Sequence, residues 1–171
     1  MCCSVNTGLR RLGSNEVEEE SVKRHPALIP LTHDHHHGLK HARRLKLASK
    51  QDEAEQKQSA QEFLAFFRNE AVIHFREEEE LLFPAILEHD SAAEEVVGGL
   101  LMDHVRMHGF AARLERQSMS GSVSADTMTE AGTLLERHIR IEENKLFPSA
   151  QEIIPEDELQ TLAFAPRDRS G

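Results

Sequence analysis

The chain has 171 residues, 39% of them hydrophobic, and a formal net charge of −10. The acidic balance argues against nucleic acid or an anionic membrane as partner, and with no Trp or Tyr only Phe is left for base stacking. No apolar run approaches the roughly 18 to 20 residues that span a bilayer. The length fits one domain. The N-terminus lacks the apolar core of a signal peptide. Cys2 and Cys3 are adjacent in a charged segment, which makes neither a disulfide framework nor a zinc site. These features predict a cytoplasmic protein. Eleven histidines are the unusual part of the composition.

Residues 1–25 are polar, Glu-rich and aperiodic, and read as a flexible tail. Pro26 and Pro30 bracket a lead-in segment. From Leu31 to Ser49, the residues Leu31, His35, Leu39, Ala42 and Leu45 follow helical spacing. Lys50 to Ser59 is polar except for Ala54, and reads as a loop or as the solvated start of the next helix. The second helix carries Phe63, Phe67, Ala71, His74, Glu78 and Leu81 on one stripe, and Pro84 should stop it. Ser91 with Glu94 reads as a capping box for the third helix, whose stripe is Val97, Leu101, His104, His108 and Ala111 or Ala112. A turn around Gly121 follows. Ser124 reads as the cap of the fourth helix, with Met128, Ala131, Leu135, His138 and Glu142 on its stripe and Pro148 as its end. Pro155 opens a last short helix to about Phe164. The fold class is all-α: an antiparallel up-down four-helix bundle over 26–164, with the flexible N-terminal tail, a short C-terminal helix and a flexible tail over 165–171.

The segment His74-Phe75-Arg76-Glu77-Glu78-Glu79-Glu80-Leu81-Leu82-Phe83-Pro84 returns as His138-Ile139-Arg140-Ile141-Glu142-Glu143-Asn144-Lys145-Leu146-Phe147-Pro148. Both copies keep H-x-R-x-E-E-x-x-L-F-P. A His and a Glu four residues apart share one helix face. The first and third helices share a weaker echo, Asp34-His35 against Asp103-His104.

Five histidines (His35, His74, His104, His108, His138) and two glutamates (Glu78, Glu142) fall on stripes that also carry Leu, Val and Phe. Burying two unpaired carboxylates in one core is costly, and a pair of metal cations removes the cost by neutralising them. Each feature alone is weak, since a lone core histidine is usually structural and the Glu77–Glu80 run is mostly a solvated face, with Glu78 the candidate from it. In phase on four helices, the set points to metal. His33, His37 and His41 lie on another face and read as a solvated ridge; His25, His36 and His89 carry no assigned role. Imidazole with carboxylate suits iron, manganese, zinc or copper. Seven ligands serve two ions if Glu78 and Glu142 bridge them and the imidazoles divide three and two. The two-His ion then has an open position for a small ligand.

In this order (His35, His74/Glu78, His104/His108, His138/Glu142), with L-F-P after both H-x-x-x-E motifs, the chain resembles the hemerythrin-like, or HHE cation-binding, family over about Leu31 to Pro148. The H-x-x-x-E of the last helix resembles the bacterial type, where oxygen-carrying hemerythrins have H-x-x-x-x-D. The resemblance implies a non-haem centre of two iron ions, oxo- or hydroxo-bridged, ahead of manganese or zinc. By the same resemblance His104, His108 and His138 hold the saturated iron, His35 and His74 hold the open one, and Glu78 and Glu142 bridge.

The expected function is binding of dioxygen or a related small molecule, in storage, sensing or delivery, with Phe67, Leu101, Leu135 and Ile141 keeping the site dry. The alternative is an enzyme that consumes peroxide or nitric oxide at the same centre. The partner is thus a small diatomic or peroxide ligand, with neither nucleic acid nor membrane. A hydrolase suggested by His33-Asp34 lacks the further His and distal Asp such sites need. A metal-free interaction module would leave Glu78 and Glu142 buried together.

Overall fold

The computed structural model describes residues 23–162 and Phe164. The expected tails, 1–25 and 165–171, lie almost wholly outside the described residues. Within them the chain is helical, without a strand. A short 3-10 turn, Pro26–Leu28, leads into α1 (Ile29–Ala48). A long second rod follows, made of α2 (Glu53–Phe66), α3 (Val72–Glu77) and α4 (Phe83–His89), joined by π-helical turns at Phe67–Ala71 and Glu78–Leu82. Then come α5 (Glu94–Ser120) and α6 (Ala125–Ile141), a π turn at Glu142–Leu146, α7 (Phe147–Ile153) and α8 (Glu156–Thr161).

Local chemistry explains most of the boundaries. Asp52 caps α2 by accepting from the Glu55 N–H, so the polar stretch after Lys50 is a brief loop and then helix. Gly121 ends α5 in the left-handed region at φ 94°, which a glycine adopts without a Cβ penalty. Ser124 caps α6 through the Thr127 N–H, as expected. Ser91 is not the cap before α5. Asp90 takes that place, accepting from the Ala92 N–H, and Ser91–Ala93 is a 3-10 turn.

The prolines do not end their helices. Each follows a π turn in which a backbone N–H reaches five residues back: Phe83 to the Glu78 carbonyl, and Phe147 to the Glu142 carbonyl. The wider turn resets the hydrogen-bond register, so Pro84 and Pro148 fall in the first turn of α4 and α7, where a missing N–H costs little.

The connections are short, as in an antiparallel bundle. α1 packs on α2 and α6, and α5 packs on the same two. Two apolar clusters fill the interior. One contains Leu45, Phe63, Phe67, Phe75, Met107, Leu135 and Ile139. The other contains Leu31, Leu82, Phe83, Leu100, Leu146, Phe147 and Leu159. Along every long helix the interior His and Glu residues fall between the residues of the two clusters, as a polar layer.

α1 and α6 approach closely because Gly132 faces the α1 backbone: a Cβ there would lie 2.6 Å from the Ala42 carbonyl oxygen. Backbone cannot swing aside as a side-chain tip can. Gly132→Ala is therefore expected to cost about 1–3 kcal/mol, read as a shifted urea midpoint. An unchanged midpoint would show that the two helices part freely.

Candidate metal centre

His35 comes from α1, His74 from α3 and Glu78 from the turn after it, His104 from α5, and His138 and Glu142 from the end of α6 and the turn that follows. All six are buried, with Glu78, His138 and Glu142 at 0% exposure. They form two groups in which the ligand atoms lie within 4.8 Å of one another: His35, His74, Glu78, Glu142, and Glu78, His104, His138, Glu142. The two glutamates belong to both.

The distances are those of ligands sharing an ion. His35 Nε2 and His74 Nε2 are 3.0 Å apart, and His104 Nε2 and His138 Nε2 are 3.2 Å apart. Two bonds of about 2.1 Å at a right angle span about 3.0 Å. Glu78 turns Oε1 to His74 (3.1 Å) and His35 (3.8 Å), and Oε2 to His104 (3.4 Å). Glu142 Oε2 is 3.2 Å from both His35 and His138. Yet all four carboxylate oxygens of Glu78 and Glu142 are buried with no hydrogen-bond partner. Buried carboxylates left this way are costly; bound cations would supply what the hydrogen bonds do not. The residues present fit the cations.

His108 is the expected ligand that the structure leaves outside both groups. It is exposed on α5. The buried stripe of α5 runs through Val97, Leu100, His104, Met107, Ala111 and Leu114, not through Leu101 and His108. Both series fit a helix, because Leu100 stands beside Leu101 and Met107 beside His108. The Phe75 ring stacks on His104 at 3.9 Å, while His108 meets Phe75 and Phe67 edge-on at 6.4 and 5.1 Å. The observed set of four imidazoles divides two and two rather than three and two. His108→Ala should keep the metal content of the parent and shift stability by no more than about 0.5 kcal/mol; loss of an ion in elemental analysis would return His108 to the ligand set.

Around the centre stand residues that the sequence reading passed over. His35 Nδ1 meets Glu143 at 2.7 Å and His104 Nδ1 meets Glu79 at 2.7 Å. His74 Nδ1 meets Asp34 at 3.3 Å. Such carboxylates fix ring orientation and strengthen the inner nitrogen as a donor. Phe147 stacks on His35 at 5.1 Å and Phe83 on His104 at 5.9 Å, which is what the two L-F-P motifs place. Arg24 closes one side, with its guanidinium 2.7 Å from Glu143 and over the Phe147 ring. Of the residues expected to keep the site dry, Phe67 and Leu135 are buried, Ile141 is partly so and Leu101 is exposed. The solvated ridge is only partly solvated: His33 is exposed, but His37 meets Glu70 at 2.9 Å and His41 stacks on Phe66.

The electrostatics describe a metal-free layer held together by protons. Burial would lower His35, but contacts with Glu142, Glu143 and Glu78 outweigh it and hold the ring well above its ordinary value. His104 is raised against burial in the same way by Glu78 and Glu79. Burial pushes His138 well below its usual value. Burial also tends to raise Glu78, but His74, His104 and His35 bring it well below the carboxylate range. Burial and the neighbouring Glu78 charge push Glu142 up to about 7.

Because His35 and His104 titrate above their unfolded values, their contribution to metal-free stability is full below the unfolded pKa of about 6.5. It is lost as pH rises through the folded values. A metal ion takes the same lone pairs and must displace these protons, so affinity should rise with pH over this range. At pH 6.5, where Glu142 is also largely protonated, binding should release between about two and three protons per chain, measured by metal calorimetry in buffers of differing ionisation enthalpy. Heats independent of buffer would contradict the protonated layer.

A family model described as the Hemerythrin HHE cation binding domain matches residues 18–150, well over half of the chain. No curated protein matches it. Buried His and Glu groups able to hold metal, on an all-helical bundle, are what that description requires, and the chain belongs to the hemerythrin HHE cation-binding family.

Proposed function

We propose that this protein holds two iron ions and uses them to bind dioxygen or a related small molecule, in storage, sensing or delivery. His35 and His74 hold one ion and His104 and His138 the other, with Glu78 and Glu142 shared. The observation that carries this reading is the pair of fully buried carboxylates, common to both histidine pairs, whose oxygens have no hydrogen-bond partner. The iron pair would supply a redox-active centre for a small diatomic or peroxide ligand; the chain supplies the position, the dryness and the outer carboxylates.

A small cavity opens beside His35, His74 and His138, with room for about one water-sized molecule. Gly38, Phe66, Ala71, Phe75, Leu135 and Ile139 give it apolar walls, which limits water and protons at the centre. Asp34 and Glu70 also line it. These carboxylates favour a second reading, an enzyme consuming peroxide or nitric oxide, because turnover needs a proton source. No described helix is long and apolar enough to cross a membrane.

The test is the visible spectrum of the reduced protein on adding dioxygen, nitric oxide or peroxide. Reversible changes that reset on ligand removal support binding, and sustained peroxide or nitric oxide decay over many turnovers supports the enzyme. No spectral response to any of the three would contradict both.

A further inference from the structure

The two halves of the centre differ in how the outer imidazole nitrogens are partnered. Three of the four imidazoles hold a carboxylate on the outer nitrogen: His35 on Glu143, His104 on Glu79 and His74 on Asp34. The fourth, His138, is 0% exposed, and its Nδ1 has no hydrogen-bond partner. Leaving that group bare in the core costs free energy that the other three rings do not lose.

The internal repeat identifies the missing partner. Asp34 precedes His35 on α1 and serves His74; Asp103 precedes His104 on α5 and stands in the equivalent place for His138. Asp103 is buried, at 3% exposure. It is turned instead to Arg137, whose guanidinium lies 2.6 Å from both of its oxygens, with Arg106 at 3.5 Å. The first copy of the repeat has Ile73 where the second has Arg137. An isoleucine cannot draw a carboxylate away, and Asp34 reaches its histidine.

We propose that Arg137 is a positioning residue that makes the two metal positions unequal, by holding Asp103 off His138. The inference rests on the reading that the two groups each hold an ion. A carboxylate on the outer nitrogen is worth about 10–100-fold in metal affinity. The His35/His74 position has both of its rings so supported, and the His104/His138 position has one. The first position fills first on loading, and the second releases its ion first to a competitor. The exchange of Ile73 for Arg137 between the two copies of the repeat thus sets the order in which the two positions fill.

The experiment is a cobalt(II) titration of the full-length metal-free protein, followed by ligand-field absorbance. It is run on the parent, Arg137→Met and Arg137→Met/Asp103→Asn. The parent should show two steps about 10–100-fold apart. Arg137→Met should tighten the weaker step by about 10-fold and leave the stronger one in place. Adding Asp103→Asn should take that gain away. A second readout follows the hydrogen bond itself: in the zinc-loaded protein, low-field imidazole Nδ1–H proton resonances should number three in the parent, four in Arg137→Met and three again in the double variant.

Equal steps in the parent, an unchanged weaker step in Arg137→Met, or a gain that survives loss of Asp103 would each overturn the proposal while leaving the two-metal reading intact. A parent that takes up no cobalt would overturn both.

Discussion

Glu78→Gln should strip both ions from the protein, not one. Glu78 belongs to both ligand groups, with Oε1 3.1 Å from His74 and Oε2 3.4 Å from His104. Glutamine keeps the shape but offers one neutral oxygen, and turns an N–H2 toward one of the two histidine pairs. Affinity should fall by at least ~100-fold at both positions, more than the loss of an outer carboxylate would cause. Stability follows, because an ion that binds only the folded chain stabilises it by about 2.7 kcal/mol at a hundred times its dissociation constant. The parent should therefore lose stability on adding a chelator, and Glu78→Gln should be indifferent to it. A variant that keeps two ions would remove Glu78 from the bridging role.

Phe147→Ala should be the most damaging apolar truncation near the site. Phe147 is fully buried, stacks on His35 at 5.1 Å with the rings 14° apart, and lies beneath the Arg24 guanidinium. Removing a buried phenylalanine costs about 3–5 kcal/mol, and here it also frees the His35 ring. Phe83→Ala repeats the experiment on the His104 side, where the stack is 5.9 Å and 18°. Urea unfolding of the metal-free proteins isolates packing from metal linkage. A loss below about 1 kcal/mol in either variant would mean that the L-F-P motif has a role other than holding a ligand ring.

Six of the seven expected ligands lie together because phase alone suffices to find them. His35, His74, Glu78, His104, His138 and Glu142 sit in register with buried apolar residues, and a charged group there needs a partner. The seventh, His108, shows the limit of phase. On α5 two apolar series one residue apart both satisfy helical spacing, and only packing against α2 and α6 selects Leu100 and Met107 over Leu101 and His108.

Glu79 and Glu143 were legible in principle, since both copies of the repeat read E-E, but a glutamate run is usually solvated and its outward members gave no local signal. Asp34 and Asp103 stood in the weak echo between α1 and α5; which of them reaches a histidine depends on Arg137, a contact no spacing rule contains. The continuation through Pro84 and Pro148 depends on π turns that begin at Glu78 and Glu142 themselves. Turns of that kind are rare and cluster at functional sites, so a stop was the natural expectation from proline chemistry.

Whether the buried His/Glu layer binds a pair of metal ions is decided by native mass measurement of the freshly purified full chain, with elemental analysis of the same sample. The main species should carry about two ions per chain, iron first among them, and should disappear on chelation together with part of the protein's stability. A folded chain that carries no metal, takes none up, and is as stable with chelator as without would contradict the two-metal reading.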